Sequence, residues 1–479
     1  MALFSDLPLD LLPLIVANLL DPVDVASLCL VNHTFRTFSV PKLYERISIY
    51  AWQRSSKLRV TQLFRTLAEH PNLACLVRQL VITDFPKAQD SFAYEHLGGW
   101  FTKGLENCVK LRCCTWTRDC SLTSRILKSL GKCPELTDIS INGCHSDLYE
   151  PGDLLQLLRL HKISLIRPSK PILEILPSWF QATGISLTSL TLICKARQSS
   201  IRVSNALFIN NQDDMYITDA FLNTVSPHLS RLERLHLVGC QRVTNEGVWS
   251  MIRNRTRDLK ELSLENLSPN FDMSTLSTAC TRAGGLTSLS SFTLTIHLNW
   301  STGAWMDGAV SLLKVSPLGS LNVSVRTPLK VFPETLRDRF CMRIVDQHRD
   351  HLIRFSLHGL LLDLASIDHV CLHCSKLEQL FICVDHAKMA PIVAILARAN
   401  LLCAIHINIK VRPERCSPYS HALDIARQCS STISQVGIDA EVWKVERCVL
   451  VVKGTAQVDR FLTKVENPDI PERFLVVRT

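Results

Sequence analysis

LERLHLVGCQRVTNEGV, Leu232 to Val248, carries in seventeen residues the plan of most of the chain. Leu232, Leu235 and Leu237 follow the order apolar, two residues, apolar, one residue, apolar. That order describes a short strand whose alternate side chains point inward, preceded by an apolar residue that closes the previous turn. A helical stretch, Thr244 to Arg253, follows it. Working outward, the order recurs from Val77-Leu80-Ile82 and Leu111-Cys114-Trp116, through Leu160-Ile163-Leu165 and Leu289-Phe292-Leu294, to Ile433-Val436-Ile438. Thirteen candidate units result, with starts 24 to 45 residues apart. Several are degenerate, so nine or ten true repeats are expected. A strand and a helix per unit cannot bury their apolar faces alone, and neighbours must stack. The expected fold class is therefore α/β, a curved solenoid with a strand and a helix per repeat.

A period of 20 to 30 residues built on this order is the signature of leucine-rich repeats. The Leu232–Val248 unit resembles the cysteine-containing class of these repeats common in F-box proteins, of fungal type. The resemblance implies that Gly239-Cys240 ends the strand and that Thr244 to Val248 starts the helix. Cys133 and Cys374 also precede strands, where that class places buried cysteines. The repeats are expected over residues 77–440, after a helical linker at 48–76. The 45-residue gap between Leu187 and Leu232 predicts an inserted loop at 195–216, read as a surface loop. Past Glu441 the pattern fades, and residues 441–479 should form a closing cap, with Phe474 to Val477 as a final strand.

The first 47 residues follow different rules. In Ser5–Ile47, SDLPLDLLPLIVANLLDPVDVASLCLVNHTFRTFSVPKLYERI, apolar residues at Leu11, Leu12, Ile15, Val16, Leu19 and Leu20 make one wide helical stripe. Pro13 is tolerable if that helix starts near Asp10, because the first turn lacks intrahelical donors. Asp21 and Pro22 open a second helix, to about Leu30, with Asp24 at its positive end. Asn32 caps a third, bearing Phe35 and Phe38, which should end before Pro41. Three short helices bury little against one another, so part of the stripe should face another surface. Leu7-Pro8, Leu11, Ile15, Leu19, Asp24, Leu28, Val31-Asn32, Phe35, Pro41 and Leu43-Tyr44 together resemble an F-box, with Phe35 and Tyr44 where Trp is frequent. The resemblance implies that Leu7, Pro8, Leu11, Leu12, Ile15, Leu19, Leu28, Val31 and Phe35 meet a Skp-family adaptor and, through it, a cullin–RING ubiquitin ligase. A substrate-recognition subunit of an SCF-type ligase, holding an unknown target protein on its repeats, is the function this implies. The alternative is a repeat scaffold that binds proteins outside any ligase.

Composition narrows the remaining classes. Hydrophobic content of 47% with 20% charged residues is that of an ordered, core-forming chain. The 19 cysteines lack the spacing of a secreted disulfide scaffold. The N-terminus has acids at Asp6 and Asp10 rather than a basic leader, and no apolar run reaches a membrane span. A cytoplasmic or nuclear protein without membrane contact is expected. Net charge is +9. Residues 1–50 hold three bases and five acids, a net −2, so the remainder carries +11. That mild bias suits acidic partners, not nucleic acid, which needs a clustered basic stripe.

No catalytic constellation emerges. The sequence lacks a phosphate-binding Gly loop, a Gly-x-Ser-x-Gly elbow and a His-Glu-x-x-His pattern. Neither catalysis nor a cofactor is expected. The metal-like string His369-Val-Cys371-Leu-His373-Cys374 reads as buried repeat cysteines, and His348 and His351 as surface residues. Residues flanking the inward strand positions should line the inner face. They include Lys162 and Ser164, Arg234 and His236, Glu261, Arg354, Ser356 and His358, Phe381, and His406 with Asn408. Of these Lys162, Arg234, His236, Arg354, His358, Phe381 and His406 are the candidate target-binding residues, a mildly basic trough suited to an acidic or phosphorylated segment.

Overall fold

The computed structural model describes residues 8–19, 22–86, 91–144, 148–194, 216–296, 302–325, 333–410, 417–452 and 455–465. The chain divides into two compact units, Met1–Cys194 and Lys195–Thr479.

The first unit opens with three small helices, α1 (Leu12–Ala17), α2 (Pro22–Leu28) and α3 (His33–Glu45). Pro13 falls in the first turn of α1, where it costs no hydrogen bond. The Asn32 side chain caps α3 by accepting from the Phe35 N–H at 2.9 Å. Asp21 lies outside the described residues. Leu12, Val16, Val25 and Phe35 form the shared apolar core. The expectation that α3 ends before Pro41 fails: Pro41 sits inside the helix. A proline there costs about 3 kcal/mol. The turn beyond it is held by its sequel, since Glu45 accepts from the Arg78 N–H at 3.0 Å and the chain runs straight on into a strand.

That strand, β1 (Arg46–Ile49), begins a parallel sheet with β2 (Gln79–Ile82), β3 (Cys113–Trp116), β4 (Asp138–Asn142), β5 (Lys162–Ile166) and β6 (Ser189–Ile193). Each strand pairs in register with the next, so Leu80, Cys114, Ile139, Ile163 and Leu190 make one buried row. Between strands run α4 (Ser56–Glu69), α5 (Pro71–Ala74), α6 (Ser91–Asn107), α7 (Ser124–Gly131), a 3-10 turn at Pro151–Gln156, and α8 (Lys170–Thr183). Phe64, Phe85, Phe101 and Trp116 cluster beneath the first strands, with ring centroids 4.6–6.4 Å apart. Fully burying such side chains contributes roughly 1.5–3 kcal/mol each before entropy is subtracted.

The second unit continues the scheme with eight parallel strands: β7 (Arg234–Val238), β8 (Glu261–Glu265), β9 (Ser291–Ile296), β10 (Ser320–Val325), β11 (Arg354–Leu361), β12 (Gln379–Asp385), β13 (Ala404–Lys410) and β14 (Gln435–Ile438). Helices α9 (Asp219–Val225), α10 (Asn245–Arg253), α11 (Met273–Arg282), α12 (Thr302–Leu313), α13 (Glu334–His348), α14 (Leu364–His373), α15 (Met389–Leu396) and α16 (Pro418–Gln428) fall before or between them. Helix starts are fixed by short polar side chains: Thr218, Thr244, Asp272 and Asp363 each accept from the first turn. Asp219 adds a tie between neighbours. Its carboxylate accepts from the Thr244 N–H (2.8 Å) and hydroxyl (2.7 Å) and from the Gly247 N–H (3.1 Å). Gly247 has no Cβ because Asp219 Oδ1 would lie 2.3 Å from one.

All thirteen candidate units carry a strand, three or four more than expected, so the degenerate ones are true repeats. Both units are therefore stacks of the leucine-rich-repeat type. The strand β1 precedes the expected start of the repeats. At the far end β15 (Glu441–Val452) and β16 (Thr455–Lys464) form an antiparallel hairpin, and β15 runs antiparallel to β14. Arg460 donates to the carbonyls of Ala426, Cys429 and Ser430 at 2.6–3.2 Å, closing the end of α16. Phe474–Val477 and all but Tyr216 of the 195–216 insertion lie outside the described residues. His348 is a correction: it is fully buried on α13, where burial holds its imidazole down to about 4. His351 is exposed, and Cys371 and Cys374 are buried.

Candidate functional site

Two surfaces can hold another protein. The first is on the N-terminal helices. An i, i+4 pair, Leu12 and Val16, faces the small core, which turns Leu11, Leu14 and Ile15 outward. Leu14 is 62% exposed, Val23 70%, Leu30 87% and Val31 61%, and Leu9, Leu11 and Ile15 are exposed as well. So dense an apolar exposure on about thirty residues is the mark of an interaction surface, since scattered single residues are the norm elsewhere.

The residues expected to meet an adaptor divide accordingly. Pro8, Leu11, Ile15 and Val31 lie on the exposed surface, and Leu19 and Leu28 are half-buried at its border. Leu12 and Phe35 face inward and hold the helices together instead. Leu7 lies outside the described residues. Leu9, Leu14, Val23 and Leu30 were missing from the expected set. Treating the first helix as one wide stripe merged its two faces, whereas counting strictly by four from Leu12 separates them.

The second surface is the open face of the second unit's sheet, opposite the side chains that enter the core. At one edge Arg234 and His236 both lie 3.6 Å from the carboxylate of Glu261. Further along, Phe381 stands between His358 and His406, with ring centroids at 6.2 and 5.9 Å. The Arg354 guanidinium lies 5.8 Å over the Phe381 ring and donates through Nε to Gln379 Oε1 at 2.5 Å. His406 leans over Gly437, where a Cβ would meet its Nδ1 at 2.3 Å, and donates from Nε2 to the Asp439 carbonyl at 2.8 Å. Lys162 is exposed on β5 of the first unit.

Burial keeps the two imidazoles neutral. His358 is pushed down to about 4, first by burial and then by His406, and His406 is lowered by burial against the pull of the Asp439 carbonyl. Within the expected mildly basic, histidine-containing trough, these two imidazoles and Phe381 form a flat aromatic wall, with the Arg354 guanidinium against the same ring. A bend explains the position of His358. Beyond Ser356 the register of β11 against β12 shifts, and Gly359 takes φ +76°.

Chemistry of other kinds has no arrangement to support it among the described residues. No group of three or more His, Cys, Asp or Glu is placed to hold a metal ion, and no helix is long and apolar enough to cross a membrane. No disulfide joins the eighteen described cysteines, and burial drives most of the buried thiols up, Cys371 and Cys374 to about 12.

No protein-family model and no curated protein matches the sequence. Among solved structures, the chain is similar to one in the crystal structure of the Rad7 and Elc1 complex in yeast, at 15% identity over 76% of this chain and 92% of that one, with a TM-score of 0.38. The assignment to the leucine-rich-repeat type rests on the strands, helices and register described above.

Proposed function

We propose that the chain is a substrate-recognition subunit of an SCF-type cullin–RING ubiquitin ligase. Its N-terminal helices dock a Skp-family adaptor, and the open face of its repeats holds a target protein. The observation that carries this is the apolar surface formed by Leu9, Leu11, Leu14, Ile15, Val23, Leu30 and Val31, on the stretch whose residue order resembles an F-box. Burying such side chains gives a gross gain of roughly 1.5–3 kcal/mol each, partly offset by the cost of association. The chain itself is not a catalyst. It acts by proximity, raising the effective concentration of a target's lysines near the ubiquitin-charged enzyme.

Co-purification with a recombinant Skp-type adaptor tests the proposal. Wild type should capture the adaptor, and Leu11→Ala combined with Ile15→Ala should abolish capture while the repeats stay folded. A wild-type chain that captures nothing, or a double variant that captures as well as wild type, leaves a repeat scaffold outside any ligase.

A further inference from the structure

One place on the open face of the second unit's sheet holds buried polar atoms with no hydrogen-bond partner. Ser320 and Asn322 on β10 face Arg354 and Ser356 on β11 in register, making a block two strands wide and two positions deep. Among the described residues Ser320 Oγ, Asn322 Oδ1 and Ser356 Oγ have no hydrogen-bond partner, and all three residues are more than nine-tenths buried. The amide of Asn322 is fixed by its other end, which donates to Thr293 Oγ1 at 3.3 Å and so leaves Oδ1 as a positioned acceptor. Folded proteins pair nearly all such atoms, because an unpaired one forfeits its hydration with no return. Three in one block call for a complementary ligand.

The surroundings specify its chemistry. Two hydroxyls can donate, one amide oxygen can accept, and Arg354 supplies a positive charge and a planar donor fork at the border. Phe381 and its flanking imidazoles wall the next strands with flat, uncharged surface. Residues 51–479 carry a net +11, which also suits a negative partner.

We infer that this block receives an aspartate or glutamate side chain from an extended acidic segment of the bound target protein. Ser320, Ser356 and Arg354 donate to the carboxylate, and Asn322 Oδ1 accepts a backbone N–H beside it. A single guanidinium balances one carboxylate, whereas a phosphate dianion calls for a second cation in the block. The long Arg354 side chain, half-exposed, is the group that moves to admit the ligand. This rests on the reading of the repeats as a target receptor and is independent of the adaptor.

Fluorescence polarisation with the full-length chain tests it, using labelled ten-residue Gly-Ser peptides with a central Asp-Glu, Lys-Lys or phosphoserine. The Asp-Glu peptide should bind and the Lys-Lys peptide should not. Arg354→Gln should weaken binding about tenfold or more, and Ser356→Ala or Asn322→Ala about threefold or more. Arg339→Gln, on the helix side, should leave it unchanged, and thermal unfolding confirms that every variant is folded. Equal binding of acidic and basic peptides, no binding by folded wild type, or undiminished binding by folded Arg354→Gln overturns the inference. Binding of the phosphoserine peptide alone overturns the carboxylate assignment. Adaptor capture by the same preparations separates the two readings: losing it refutes the ligase role and leaves the peptide result standing.

Discussion

Glu265→Gln should make the protein more stable in base and leave it nearly unchanged in acid. Glu265 ends β8 with 3% of its surface exposed, and its Oε1 accepts from the Ser263 hydroxyl at 2.8 Å. Burial pushes its carboxyl up from 4.5 to about 7, against the smaller pull of that hydroxyl. An acid whose folded value is raised favours folding while both states are protonated. The advantage is lost as the pH climbs from the unfolded value through the folded one, because the unfolded chain ionises first. Each pH unit of difference corresponds to about 1.4 kcal/mol, so the wild-type deficit should grow by roughly 2.5 kcal/mol between about pH 5 and pH 8.5. Glutamine keeps the shape and the acceptor for Ser263 but cannot ionise. Urea unfolding of both proteins at the two pH values isolates the effect, since all other titrating groups cancel in the difference. A stability difference between variant and wild type that is the same at both pH values would refute the reasoning.

Further outcomes follow from the packing. Asp219→Ala removes the acceptor for three hydrogen bonds at the start of α10 and should cost about 2–3 kcal/mol in denaturant unfolding. Leu12→Ala should loosen the N-terminal helices by roughly 2–4 kcal/mol, seen as faster amide exchange over residues 8–45. Leu14→Ala, on the exposed surface, should change stability by no more than about 0.5 kcal/mol yet reduce adaptor capture. His348 and His358, each held down to about 4, contribute stability above the usual imidazole value that is lost as the pH falls from about 6.5 toward 4. His358→Gln should flatten the stability profile in that window, and an unchanged slope would count against it.

The repeats were legible because their rule is local. Leu235 and Leu237 announce a strand wherever the pattern is read, and even weak units such as Leu111-Cys114-Trp116 obey it, because the stack demands an apolar residue at each inward position. What escaped depends on partners distant in sequence. Ile47 and Ile49 alternate as a strand should, but their helical prelude hid them, and only Arg78 reveals why the chain straightens there. Pro41 within α3 is tolerated for the same reason. The burial of His348 and the shift at Gly359 are set by neighbouring repeats. The hairpin from Glu441 to Lys464 breaks the repeat rule altogether, so a fading pattern was all that the leucine spacing could register. At the candidate sites, the residue types of the inner face were readable, but the neutral state of His358 and His406 and the orphaned atoms at Ser320, Asn322 and Ser356 depend on packing across strands.

The aligned starts of the strands from β7 to β14 turn the open face into a ruler. Arg234, Glu261, Ser291, Ser320, Arg354, Gln379, Ala404 and Gln435 stand in one file across the strands. Strands lie about 4.8 Å apart, so the seven steps measure roughly 34 Å along the sheet, close to ten residues of an extended chain at about 3.4 Å each. The two rulings do not match: side chains on one side of an extended segment recur about every 6.8 Å. A segment laid across the file therefore comes into step with the strands at one or two places and drifts out between them. Selectivity on such a surface concentrates at isolated marks, and the mark fitted with buried hydroxyls and a guanidinium is the one where a mismatch would be felt most.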